Sequence, residues 1–271
     1  MSNKLNFPKK IILIAGPTAS GKSKLALLLA QKMNGEIINA DSMQIYKEFE
    51  VLSSRPSQSD EKKIKHHLYG FLSVKKYFSV GEWLILVKKK VEQIIKKGKQ
   101  PIIVGGTGLY FNAITKGIGK IPEIKKNLRK KIRTLHLKIG QKEFYKKLIL
   151  IDKKSRNYIS PNDTQRTLRA YEVKLFTKRS LFEWFSKTQS DFLDYDLVKF
   201  YINIPKENLL KNIEKRTNLM FKKNCVKEVE NFLYLRTDKS LSSNKLIGVR
   251  EIKDYLSGFV DLKQTKELIN I

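Results

Sequence analysis

Cys225 is the single cysteine among 271 residues, so no disulfide can form within the chain and a disulfide-stapled secreted scaffold is excluded. Long apolar runs are also missing. Nothing approaches the ~18 consecutive apolar residues of a membrane-spanning helix, and the apolar run after the basic start MSNKLNFPKK is too short for a signal peptide. The expectation is a cytoplasmic protein with no membrane partner. Histidine is scarce: His66 and His67 are neighbours that point in different directions, and the third, His136, is remote in sequence. Packing or a hydrogen bond to a substrate suits them better than a metal centre. Acidic residues are few, 26 against 55 Lys and Arg, which leaves a formal charge of +29 and points to a polyanion, above all nucleic acid. With 45 of the 55 being Lys in a chain also rich in Ile and Asn, the composition is also of the kind that A/T-biased coding produces, so bias is an alternative source of the charge. The position of the charge therefore carries more information than its total.

What is present begins with IILIAGPTASGKS, Ile11 to Ser23. Five apolar residues read as a buried strand and run into Gly16, Pro17, Thr18, Ala19, Ser20, Gly21, Lys22 and Ser23, the spacing G-x-x-x-x-G-K-[ST] of a phosphate-binding loop. The glycines let backbone N–H groups face an anion, Lys22 supplies a point charge, and the Ser23 hydroxyl can hold Mg2+. The helix that follows adds its N-terminal dipole, and Leu25, Leu28, Leu29 and Met33 are its expected apolar face before Asn34-Gly35 stops it. Such a loop serves nucleotide binding, ATP included, or any other diphosphate. By itself it does not say whether a P–O or a C–O bond breaks.

A second strand, EIINAD, ends at Asp41, where a parallel sheet places its ligand crevice. A carboxylate there can orient a nucleophile, accept its proton, hold magnesium through water, or merely cap a turn. Residues 47–69 read as loop with a short helix. Ser79 and Glu82 form a capping box for an amphipathic helix ending at Gly98. A third strand, Pro101 to Val104, runs into Gly105-Gly106-Thr107, either a tight turn or a point of close ligand approach with Thr107 as a hydrogen-bonding group. A fourth strand is expected at Lys199 to Ile204, then helices at Glu207 to Phe221, Val226 to Leu235 and Lys245 to Leu256. Arg216 lies on the first of these and either faces the phosphates or sits on the surface.

Between Lys125 and Arg156 stand thirteen Lys or Arg against Glu143 and Asp152, on helical patterns with Leu128, Ile132, Leu135 and Ile139 inside. Ser160 to Asp163 caps a further helix carrying Gln165, Arg166 and Arg169, side chains able to meet phosphates or base edges. The fold class expected is therefore α/β, a P-loop NTPase-like parallel sheet flanked by helices, with an inserted all-helical subdomain whose basic surface suits a nucleic-acid backbone. The core is assigned to 1–117 and 191–271 and the insertion to 118–190.

With these pieces in place the sequence resembles the tRNA dimethylallyltransferases, also called tRNA isopentenyltransferases. The resemblance rests on GPTASGKS (Gly16 to Ser23), NADSMQIY (Asn39 to Tyr46), HHL (His66 to Leu68), VGGTGLY (Val104 to Tyr110) and SPNDTQRTLRAYEV (Ser160 to Val173). It departs in Lys65, where the family has Pro before HHL, in Ser54-Arg55-Pro56, in Val249, and in ending at Ile271 where the family runs on into a basic, aromatic helical segment. The resemblance implies transfer of the dimethylallyl group from dimethylallyl diphosphate to N6 of the adenine beside the anticodon of tRNA, with diphosphate released. It implies catalytic roles for Lys22, Asp41, Thr107 and Arg216. Contacts with the anticodon stem-loop are implied for Asp41, Ser42, Met43, Gln44, Thr107, Arg129, Gln165, Arg166, Thr167, Leu168 and Arg169. A monomer suffices for this chemistry. A P-loop small-molecule or nucleotide kinase, an adenylate isopentenyltransferase and a non-catalytic tRNA-binding protein are the alternatives; the basic insertion argues against the free-nucleotide enzyme.

Overall fold

A computed structural model of the chain describes residues 9–186 and 188–270. Its first unit, Met1–Ile114 with Asp191–Ile271, is built on a five-stranded parallel sheet. The elements are β1 (Lys9–Ala15), α1 (Lys22–Lys32), β2 (Gly35–Asn39), α2 (Gln58–Lys63), β3 (His66–His67), α3 (Val80–Lys96), β4 (Gln100–Gly105) and α4 (Gly108–Lys116). The second unit, Thr115–Ser190, contains α5 (Lys126–Ile151), α6 (Thr164–Thr177) and α7 (Leu181–Phe185). The chain then supplies β5 (Tyr195–Tyr201), α8 (Lys206–Lys222), α9 (Cys225–Tyr234), α10 (Val249–Leu256) and α11 (Leu262–Ile269) to the first unit. Strand order is β3-β2-β4-β1-β5, so β4 enters between β1 and β2 and the crevice opens beyond the carboxyl ends of those three.

The three central strands are buried and each carries an apolar run, as a sheet covered on both faces requires, although β2 also buries Glu36 and Asn39. Ile11, Ile14, Ile37, Ile38, Ile102 and Ile103 are at most 1% exposed. Helix α1 lies on one face, but not as expected: Ala26 and Ala30 are fully buried, whereas Leu28 and Met33 are 48% and 44% exposed. Close approach explains the difference. A Cβ on Gly35, at the start of β2, would come within 3.2 Å of the Ala30 Cα, a separation that only small residues tolerate. Strand β5 also begins earlier than the sequence suggested, at Tyr195, with Ile202 to Ile204 already past its end. It is an edge strand, and its partly exposed Tyr195–Tyr201 run lacks the apolar continuity that marks the interior strands.

Helices α8 to α11 bring a second core to the segment after β2. Ile45, Tyr46, Phe49 and Leu52 are buried with Met220, Cys225, Val229, Phe232, Val249, Ile252 and Ile269. Helix α10 starts at Val249, after a 3-10 turn at Ser242–Lys245, and α11, absent from the sequence reading, is capped by reciprocal bonds between Asp261 and Gln264. In the second unit α5 is broken at Gly140, whose φ of 76° interrupts the helix. Ile124, Leu148, Ile159, Ala170, Val173 and Leu181 form that unit's core. Among the described residues no helix is long and apolar enough to cross a membrane.

Candidate active site

The loop from Gly16 to Ser23 joins β1 to α1, and its geometry explains its composition. Gly21 has φ 90°, in the left-handed region, directly before the first turn of α1. A Cβ on Gly16 would stand 2.9 Å from Ser20 Oγ and 3.1 Å from the Ile202 carbonyl, so the start of the loop is closed to any side chain. Lys22 turns back over the loop and donates from Nζ to the Pro17 carbonyl at 3.0 Å. Burial pushes its ammonium below the ordinary lysine range; Asp41 opposes that shift and Arg216 adds to it.

Arg216 reaches this loop from α8. It donates through Nη1 to Thr18 Oγ1, through Nε to Ser54 Oγ at 2.8 Å and through Nη2 to the Leu52 carbonyl at 3.5 Å. Of the two sequence alternatives for this residue, the one facing the phosphate loop is therefore the arrangement observed. Burial lowers its pKa, and Asp41 opposes that. Asn212, four residues before it on the helix, donates to the Ala19 carbonyl at 3.2 Å.

Asp41 follows β2 and is fixed on both sides. Its N–H donates to Asn39 Oδ1 at 2.8 Å, and its Oδ1 accepts from the Met43 N–H at 2.9 Å. The Asn39 amide donates to the Asp41 and Leu68 carbonyls, and Trp83 Nε1 donates to the Asn39 carbonyl at 3.0 Å. Trp83 in turn stacks on Tyr110 with centroids 3.9 Å apart. Asp41 thus caps its turn through Oδ1 while Oδ2 lies toward Gly106. The double glycine divides its work. A Cβ on Gly105 would overlap the Ala40 carbonyl at 2.1 Å, a backbone requirement, whereas one on Gly106 would stand 3.7 Å from Asp41 Oδ2 and narrow the crevice. Thr107 Oγ1 donates to Ser42 Oγ at 3.2 Å and accepts from the Ser42 N–H at 2.9 Å, tying β4 to the turn after β2. Gln44 is held by the Ser53 and Ser54 carbonyls.

Lys22, Asp41, Arg216 and Thr107 are thus gathered at the carboxyl ends of β1, β2 and β4. Two cations and one carboxylate suit a polyanionic leaving group beside a proton acceptor. Glu228 escaped the sequence reading: its carboxylate accepts from the backbone N–H groups of Glu50 and Val51 at 2.8 Å and of Leu52 at 2.9 Å. Those bonds fix the segment whose Leu52 carbonyl and Ser54 hydroxyl hold Arg216. No local pattern announces a contact 178 residues apart in sequence.

Among the described residues no group of three or more His, Cys, Asp or Glu could hold a metal. A metal needing a protein cage does not fit; magnesium does, because it takes one or two protein ligands and completes its shell with phosphate oxygens and water. The exposed Ser23 hydroxyl, next to Lys22 in the first turn of α1, could serve as such a ligand.

In the second unit, Gln165 and Arg166 are exposed near the start of α6, with Arg166 paired to Asp163 at 3.0 Å. Arg129, Arg133 and Arg169 surround Glu172, whose carboxylate is buried and pushed above the ordinary range by that burial, against the pull of the arginines. Thr167 is corrected as an RNA contact. It is fully buried, and its hydroxyl donates to the Asp163 carbonyl at 2.6 Å and accepts from Gln141, so it braces the helix start. Leu168 is half-buried.

The chain is similar to known proteins in both sequence and fold. The model of the IPP transferase family matches residues 44–271. A protein of Pelagibacter ubique named tRNA dimethylallyltransferase is 50% identical over 97% of this chain and 84% of its own length. One of Rickettsia massiliae with the same name is 40% identical over 94% and 71%. The crystal structure of a tRNA isopentenylpyrophosphate transferase from Staphylococcus epidermidis superposes with TM-score 0.65 at 29% identity, covering 97% of this chain and 85% of that one. A eukaryotic dimethylallyltransferase captured acting on tRNA superposes with TM-score 0.83 at 25% identity, over 97% and 66%. A match to the family model over most of the chain, together with half-identity to a relative across most of both sequences, means that this chain belongs to the IPP transferase family.

Proposed function

We propose that the chain transfers the dimethylallyl group of dimethylallyl diphosphate to N6 of the adenosine beside the anticodon of tRNA and releases diphosphate. The observation that carries the proposal is the convergence of Lys22, Arg216 and Asp41 on one crevice in a member of the IPP transferase family. The loop amides, Lys22 and Arg216 hold the diphosphate. As the bond from the allyl carbon to the diphosphate oxygen breaks, its electron pair leaves with the diphosphate, whose growing charge these cations stabilise. The N6 lone pair forms the new C–N bond, and the N6 proton passes to Asp41 Oδ2, the oxygen not used to cap the turn. Thr107, already bonded to Ser42, fixes an adenine that must leave its stack to reach the crevice. Magnesium bound through Ser23 would supply further neutralisation of the diphosphate.

Asp41 to Gln44, Arg129, Gln165, Arg166 and Arg169 are proposed to meet the anticodon stem-loop, and the enzyme to work as a cytoplasmic monomer. The test is transfer of label from dimethylallyl diphosphate, with magnesium, to unmodified tRNA and in parallel to adenosine monophosphate. Label on tRNA alone is expected. Label on the free nucleotide would move the function to an adenylate isopentenyltransferase, and ATP turnover without label transfer would indicate a kinase.

A further inference from the structure

Glu172, on α6 of the second unit, carries a carboxylate side chain only 5% exposed. Three guanidiniums surround it: Arg129 Nε at 3.7 Å and Arg133 Nε at 3.8 Å from α5, and Arg169 Nη1 at 3.9 Å from its own helix, α6. The spacing is not accidental. Arg129 and Arg133 are four apart on one helix, and Arg169 and Glu172 three apart on the other, so each pair shares a face. None of these three contacts is short enough to be a hydrogen bond. The guanidinium side chains are 31%, 47% and 38% exposed, so the cations open to solvent above a carboxylate that does not. Arg129 Nε is buried without any hydrogen-bond partner.

We propose that Arg129, Arg133 and Arg169 form a clamp for one or two RNA backbone phosphates, and that Glu172 is its positioning residue. The carboxylate offsets mutual repulsion and holds three guanidiniums in one place. The N–H donors of Arg129 and Arg133 suit the non-bridging oxygens of a phosphodiester, which arginine grips bidentately. Neither Arg133 nor Glu172 stood out in the sequence, where Arg133 is one cation among thirteen and Glu172 one acidic residue in a helix. The inference rests on the reading of the chain as a tRNA-modifying enzyme.

The sign of one substitution separates positioning from bulk charge. Glu172→Gln removes a negative charge, so if net charge alone governed RNA affinity the variant would bind tRNA more tightly. A positioning role predicts the reverse: roughly 10-fold weaker binding, with the log–log salt dependence flattened by about 1 as the clamp loses a phosphate contact. In transfer assays KM for tRNA should rise with kcat retained. Arg133→Gln, at a half-exposed position, should weaken binding similarly and lower the slope by about 0.7 to 0.9. Added to Glu172→Gln, it should have less effect than alone. The full chain is used throughout, and thermal unfolding is followed for every variant. Should Glu172→Gln fail to fold, the slope of Arg133→Gln still decides. Wild-type slopes in the folded variants, or tighter binding by Glu172→Gln, would overturn the clamp while leaving the function standing. Absence of tRNA binding and label transfer in the wild type would instead overturn the function on which it rests.

Discussion

Replacing Asp41 by Asn tests the proposed chemistry with little disturbance of the fold. The carboxylate does two things at once: Oδ1 accepts the Met43 N–H at 2.9 Å, while Oδ2 lies toward Gly106 and the crevice. An Asn amide oxygen can keep the first role, and the Asn39 bond to the Asp41 N–H does not involve the side chain at all. Exchanging a charged for a neutral acceptor at a half-buried position should cost about 1 kcal/mol or less. The second role is lost outright, because an amide takes up no proton at neutral pH. General-base contributions of ~10² to 10⁴ predict a fall in kcat of that size, which is about 3 to 5 kcal/mol of barrier.

A second readout comes from Lys22. Burial depresses its pKa, and Asp41 is the group that opposes the depression. Diphosphate needs the charged ammonium, so affinity should fall as pH rises through the Lys22 pKa of the free enzyme. In Asp41→Asn that fall should begin at lower pH. Single-turnover label transfer gives the first quantity and calorimetric titration of diphosphate between pH 7 and 10 gives the second. Wild-type turnover in a folded Asp41→Asn would remove Asp41 from the proton transfer, and an unmoved affinity profile would mean that Lys22 does not feel its charge.

Lys22→Ala should weaken diphosphate binding by about 2 to 5 kcal/mol, because Arg216 is left to face the anion alone; unchanged affinity by calorimetry would contradict the assignment of the loop. Glu228→Ala strips the acceptor from three backbone N–H groups at 2.8 to 2.9 Å and should cost about 2 kcal/mol in urea unfolding. It should also slow transfer, since the freed segment carries the Leu52 and Ser54 atoms that hold Arg216; lost stability with unaltered turnover would uncouple the two. Acid should destabilise the protein in two steps centred on the buried His67–Glu36 contact of 2.7 Å. Burial lowers the His67 pKa despite Glu36, so below pH 6.5 the unfolded chain binds a proton that the folded one refuses, and stability falls as pH drops. Burial alone would raise Glu36, but its bonds from His67 and Lys99 prevail and lower it, so its contribution is present above pH 4.5 and is lost below that as the folded carboxyl protonates. His67→Gln should flatten the first step only, as read from urea midpoints between pH 7 and 4; an unaltered first step would place the titration elsewhere.

What could be read from the sequence followed from how local each determinant is. The phosphate loop is eight consecutive residues between an apolar run and a helix, and β1, β2 and β4 each carry a short apolar run that ends at a turn signal, so all four were legible. Strand β5 was placed several residues late because an edge strand carrying Asp196 and Lys199 has no such signature. The buried face of α1 was misread for a different reason: hydrophobicity favours Leu28 and Met33, but the helix meets the sheet where only Ala26 and Ala30 leave room. At the site, Asp41 and Thr107 are legible because they end strands, where an α/β crevice must lie. Ser54 and Glu228 are not, because their roles exist only once α8 and α9 have folded against the segment after β2.

That dependence joins stability to chemistry. Phe49 and Leu52 are buried against Val229 and Phe232, so the core that holds α8 and α9 in place also holds the Leu52 carbonyl beneath Arg216. A cavity opened at Phe232 would therefore be felt at the phosphate loop, although the side chain itself meets no group of the proposed reaction. Leu28, half exposed on α1, has no such connection, and shortening it should leave both stability and turnover nearly unchanged.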